Sequence, residues 1–238
     1  MASSTNASRS FPWRYVPGAF FIICNHCILS SDTMYAMNTF KSTGSGTRRI
    51  LVILGHPAPA SLNQALAEAY AEGARKAGAE VVVIQPATFA MNPLADPRTV
   101  PELEPDLVAA QDLIRAADLL VFVYPLWWGA APVPLKAFID RAFITEFAFR
   151  YTEKGQPQGL LKGRTARIVL TMDGPTWWHR WMYRNSGVTW LKWATLWFSG
   201  IRTLGVTVVD KVRTLKPEQV ADQIRRVQSL GEKEAQRQ

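Results

Sequence analysis

Five short apolar runs constrain what this chain can fold into: "ILVIL" (50–54), "VVVIQ" (81–85), "LLVFVY" (119–124), "RIVLTM" (167–172) and "VTVVD" (206–210). Each is continuous rather than alternating and rich in valine and isoleucine, the pattern of a strand buried on both faces. Helical spacing fills the gaps. Leu62, Ala65, Leu66, Ala69, Tyr70 and Gly73 recur at intervals that place one stripe on a helix, which Gly78 ends. Leu135, Phe138, Ile139, Ala142 and Phe143 repeat that spacing, with Lys136, Asp140 and Arg141 predicted to face away. A further helix is expected over 106–117. Pro217 opens a last one, in which Val220, Ile224 and Val227 share a face.

Strands alternating with helices imply a parallel sheet covered on both sides. Right-handed crossovers narrow this α/β class to a doubly wound five-stranded sheet, for which 2-1-3-4-5 is the common strand order. A ligand is then expected beyond the carboxyl ends of the strands, in the crevice between the first and third.

The chain of 238 residues reads as one domain over 48–238, preceded by a leader over 1–47. Half of the net charge of +8 lies in the first 49 residues, and no continuous basic stripe follows, so no nucleic-acid partner is expected. Cys24 and Cys27 could read as half a zinc site or as a redox pair; no second pair completes a metal, so no metal site is expected. The apolar run 16–29 is too short, and too broken by Pro17, Gly18 and Asn25, to span a membrane. No cleavage motif follows it, and Met34 and Met37 stand just ahead of the first strand. The leader therefore reads as disordered, or as the product of a start placed too early, and the protein as cytoplasmic.

Three loops reach the expected crevice. In "GHPAPASLNQAL" (55–66), Ser61 can cap a helix whose first amides, at Leu62, Asn63 and Gln64, form an anion site; an ordinary N-cap is the plainer reading. In "YPLWWGAAPVPLKAFIDRAF" (124–143), Trp127 and Trp128 stand where turns normally place small polar residues, and suit the wall of a planar ring. Gly129, Ala130 and Ala131 let backbone amides approach its edge. "TMDGPTWWHRWMYR" (171–184) follows the fourth strand, with Asp173, Gly174 and Pro175 as a turn and His179, Arg180, Tyr183 and Arg184 as proton or charge partners.

With these loops in place, residues 50–212 resemble the flavodoxin-like NAD(P)H oxidoreductases, which include DT-diaphorase-type quinone reductases and the ancillary reductases of potassium efflux systems. The stretch "PLWWGAAPVPLKAFIDRAF" is similar to that family's P-L-x-W-x-x-x-P-x-x-L-K-x-[WF]-x-[DE]-R-x-F, and "GHP…SLNxAL" is its next most specific piece. The resemblance implies a flavin, FAD ahead of FMN, reduced by NAD(P)H and reoxidised by a quinone-like acceptor, in a homodimer. It implies that His56, Ser61, Leu62, Asn63 and Ala65 surround the flavin phosphate. Pro125, Leu126, Trp127, Trp128 and Gly129 would lie along the isoalloxazine, and Thr171, Met172, Asp173 and Gly174 along its far edge. Asp173 stands where a glycine is usual; it is expected to turn away and cap the next helix, leaving the edge to backbone amides and to His179 or Tyr183 as the catalytic groups. The other classes are an ancillary flavoprotein that regulates a partner such as a transporter, and a one-electron flavodoxin carrier.

Six of the nine tryptophans lie between Trp177 and Trp197. A helix over 188–198 would be apolar nearly all round and so buried on both sides, against the sheet and a second subunit. Contact with a lipid surface is the competing reading, which the residues favour less.

Overall fold

In the computed structural model, which describes residues 39–41, 46–58, 60–96 and 102–237, the five apolar runs form one parallel sheet. The strands are β1 (Arg49–Leu54), β2 (Glu80–Ile84), β3 (Leu119–Pro125), β6 (Thr165–Thr171) and β7 (Arg202–Val209), and their order is β2-β1-β3-β6-β7. A small antiparallel hairpin, β4 (Phe149–Tyr151) with β5 (Pro157–Gly159), intervenes after β3, so the order is 2-1-3-6-7 in place of the expected 2-1-3-4-5. Its strands are three residues each, too short for a periodic signal.

The sheet is covered on both faces. On one side lie α1 (Leu62–Lys76) and α6 (Pro217–Ala235), whose apolar stripes bury against Ile50, Val52, Val121 and Val169. On the other lie α2 (Pro105–Ala116), α3 (Val133–Ala142) and the segment before β7. β1 and β3 are buried almost throughout, so neither face of the sheet centre meets water.

Helices α1 and α6 approach closely because each presents a glycine: a Cβ on Gly73 would collide with the Gln228 carbonyl oxygen, and one on Gly231 with that of Tyr70. Beneath this contact is a buried polar cluster. Arg167 donates from Nε to Glu234 Oε1 at 2.9 Å and also pairs with it through Nη2, while the Tyr70 hydroxyl donates to Oε2 at 2.7 Å. Burial, and the neighbouring Glu234 carboxylate, push the Tyr70 phenol well above its ordinary range, so it stays neutral and donates.

Arg141 corrects the helical wheel. It was expected to face away from the core, yet it is fully buried and reaches Glu104, at 2.5 Å, just ahead of α2. The Trp-rich helix also departs from expectation. Residues Ser186–Thr189 form an α-helical turn (α5) that widens into a π-helix over Trp190–Trp197. The wider turn replaces the 3.6-residue spacing, so Leu191 and Leu196 are buried while Trp193, Ala194 and Trp197 are exposed rather than buried on both sides. Most of the leader, including the apolar run 16–29 and the cysteine pair, lies outside the described residues; of its described part, Phe40 packs against the core. No helix among the described residues is long and apolar enough to cross a membrane.

Removing the Glu234 side chain strands the Arg167 charge in the core. Glu234→Ala is expected to lose about 3–5 kcal/mol of stability in urea denaturation.

Candidate functional site

At the carboxyl end of the sheet the three loops are tied to one another pairwise. After β1, Gly55 continues the ladder through its amide to Val123 O at 2.8 Å; a Cβ there would strike Leu135 and Tyr124. Ser61 caps α1 by accepting the Gln64 amide at 3.2 Å, and the Gln64 side chain returns to accept the Ala60 amide at 2.8 Å. The amides of Leu62 and Asn63 are left without protein partners among the described residues, and the first turn of α1 carries no acidic side chain. That is an anion cradle at a positive helix end.

The second loop folds back at once. Trp127 and Ala130 exchange both backbone hydrogen bonds, at 2.9 and 3.0 Å, around a two-residue turn in which Trp128 has φ +51° and Gly129 φ +77°. Positive φ at both central positions is the type I′ turn, normally Asn-Gly. A tryptophan in its first position is strained, and here the indole projects wholly into solvent.

Contacts between loops are specific. The His56 ring meets Trp127 edge-on at 5.6 Å, and the Gln85 amide holds the His56 carbonyl oxygen at 2.8 Å. Asn63, buried, donates to the Thr171 hydroxyl at 3.0 Å, clasping α1 to the end of β6. Leu126 N donates to Thr171 O at 2.7 Å, and Ser186 Oγ to Gly129 O at 2.7 Å. Five of the six non-glycine residues with positive φ among the described residues, Ala60, Trp128, Arg184, Asn185 and Lys211, lie in loops that follow the sheet's carboxyl ends. Strain of this kind is thus gathered at one edge of the sheet.

The site residues named from sequence fall as follows. His56, Ser61, Leu62, Asn63 and Ala65 line the first loop and helix start. Pro125 is buried, Leu126 half-buried, and Trp127, Trp128 and Gly129 form the turn. Thr171 and Met172 are buried and Gly174 is exposed. Asp173 is not the helix cap: it pairs with Arg213 at 3.1 Å, while Asp210, at the end of β7, accepts the Thr176 amide at 2.8 Å and so caps α4 (Thr176–Trp181). Ser186, Gly187 and Asp210 had no sequence signal, because their roles depend on distant partners.

His179 and Tyr183 are in different settings. Tyr183 is half-exposed, its ring 4.0 Å from where a Cβ of Gly129 would lie. His179 is 2 % exposed, and its Nε2 accepts the Gly187 amide at 3.3 Å. Gly187 O in turn accepts the Tyr124 hydroxyl at 2.6 Å and the Trp190 indole at 3.1 Å.

A cavity of about 480 Å³ lies elsewhere, at the amino end of β7, lined by Lys192, Trp193, Trp197, Arg202 and Thr203 among others. It has no helix start and no strained turn. The open amides of the α1 start and the Trp127–Ala130 turn are at the opposite end of the sheet.

Residues 48–230 match the family described as having a flavodoxin-like fold, and the chain belongs to it. It is 32% identical over 149 residues to NAD(P)H dehydrogenase [quinone] 1 of Rattus norvegicus, covering 53% of this chain and 54% of that protein. It is 31% identical over 131 residues to an uncharacterized NAD(P)H oxidoreductase of Haemophilus influenzae, covering 51% and 63%. The chain thus spans less than two thirds of the length of either of these relatives. Among solved structures, an NAD(P)H:quinone oxidoreductase from Methanothermobacter marburgensis aligns with a TM-score of 0.65 at 18% identity, covering 79% of this chain and 98% of that one. An FMN-dependent NADH-azoreductase from Bacillus anthracis, in complex with FMN, aligns with a TM-score of 0.62 at 21% identity, covering 79% and 100%. At these identities the likeness is one of fold.

Two outcomes are expected. Trp128→Asn, which gives the turn its preferred residue, raises stability by about 1 kcal/mol in chemical denaturation. Burial pushes the His179 imidazole below its ordinary value of 6.5, so the unfolded chain binds that proton more tightly. This contribution to stability is complete above that value and is lost as pH falls from it towards the lower folded value. Thermal melts across that range should show a smaller loss in His179→Gln than in the parent.

Proposed function

We propose that the chain is a flavin-dependent NAD(P)H oxidoreductase that reduces quinones by two-electron hydride transfer. The observation that carries this reading is the convergence of an anion cradle, a tryptophan-walled turn and the end of β6 on one crevice, held by the Asn63–Thr171 clasp. The family and the names of the relatives support it.

A bound flavin supplies a centre that accepts hydride from a nicotinamide and passes it to an acceptor taking the vacated place. The residues present fit such a group. The Leu62 and Asn63 amides would hold its phosphate, and no first-turn carboxylate opposes that charge. Trp127, Trp128 and the Gly129 amide would hold the ring, together with Pro125, Leu126, Thr171, Met172 and Gly174. Tyr183 is the group that holds a proton near the ring. His179, buried and accepting the Gly187 amide, positions the carbonyl that binds Tyr124 rather than exchanging protons itself. These loops grip the mononucleotide portion that FAD and FMN share. A homodimer is the assembly that the resemblance implies.

The purified protein is expected to be yellow, to release a single flavin identified by chromatography, and to turn over NADH or NADPH with a soluble benzoquinone. A colourless preparation that stays so after incubation with FMN and with FAD overturns the reading. Tyr183→Phe should lower kcat about a hundredfold while leaving the flavin bound.

A further inference from the structure

Burial is inverted over residues 177–184, "WWHRWMYR". His179 is the one buried side chain, while Trp177, Trp178, Trp181, Met182 and Tyr183 are exposed, Trp181 to 76 %. Surfaces of soluble proteins scatter large apolar side chains singly; a cluster this dense needs a partner. The segment is held in this pose from beneath. Asp210 fixes the start of α4, and the Gly187 amide fixes His179, so the indoles are presented and not frayed.

Charge selects the partner. From Gly174 to Val209 the sequence contains no Asp or Glu, but it carries Arg180, Arg184, Lys192 and Arg202. Arg180 and Arg184 are exposed, and neither has a carboxylate partner among the described residues. We propose that this face docks on an anionic membrane surface, with the indoles at the headgroup boundary and the arginines on lipid phosphates. A second copy of the chain suits it less well. A two-fold contact sets the patch against itself, gathering the arginines of both copies at one interface with no carboxylate from the segment to offset them.

The face adjoins the crevice, since Tyr183 belongs to it and also approaches Gly129, whose carbonyl oxygen Ser186 holds. Docking therefore turns the crevice mouth towards lipid, where a long-chain quinone dissolves. That last step rests on the proposed function; the docking itself does not.

The test floats the full, flavin-loaded chain with vesicles containing phosphatidylglycerol and with vesicles of phosphatidylcholine alone, at low and high salt. Binding is expected to the phosphatidylglycerol vesicles only, and to fall at high salt. Arg180→Gln and Arg184→Gln should each weaken it about fivefold, and Trp181→Ser at least as much, with unchanged circular dichroism. Trp181→Ser should keep turnover of a soluble short-chain quinone but reduce a vesicle-dissolved quinone more slowly. Failure of the parent protein to float with phosphatidylglycerol vesicles at low salt overturns the proposal. So does a parent dimer that Trp181→Glu splits into monomers in sedimentation, because a second copy then covers the face. Flotation without reduction of any quinone would leave the docking standing and remove the proposed function instead.

Discussion

The central strands are apolar on both faces, from Ile50 to Leu54 and from Leu119 to Pro125, and helices must cover both sides before the sheet is stable in water. That requirement leaves the chain only the strand ends at which to meet a polar ligand. It also forces each crossover helix to begin at the same edge. The start of α1, the Trp127–Ala130 turn and the end of β6 are neighbours for this reason, although they are far apart in sequence. The Asn63–Thr171 pair then fixes their spacing from within, as a buried hydrogen bond between two groups that would otherwise lack partners.

The two ends of the molecule differ in kind. The amino end of β6 and the tail of α6 are joined by Arg167, Glu234 and Tyr70, a closed set in which each charge and hydroxyl has a partner. At the carboxyl end the backbone is strained at Ala60 and Trp128, amides stay open and large rings are exposed. The buried polar cluster is closed on itself, whereas the loops at the carboxyl end keep amides open.

Much of this was legible in the sequence because it depends on periodicity. The five strands, α1, α3 and α6 follow from apolar spacing, and Ser61, Pro217 and Gly78 mark ends through local backbone chemistry alone. What the sequence did not reveal depends on contacts across the fold. Arg141 sits at a wheel position that looks solvent-facing, and only the distant Glu104 explains its burial. Asp173 could cap α4 by position, yet Asp210 does so, because β7 brings that carboxylate to the helix start. The switch from α5 to a π-helix changes which tryptophans face outward, and no residue in "TWLKWATLWF" announces it. For the crevice itself, the loops were recognisable, but their mutual ties through His56, Gln85 and Ser186 were not.

Amide hydrogen exchange on the flavin-free chain, with and without added FMN, tests the central claim most directly. The account predicts slowed exchange in 55–66, 125–131 and 171–174 together, with little change around 192–203. Protection confined to the cavity lined by Lys192, Trp197 and Arg202, with those three loops unaffected, would contradict it.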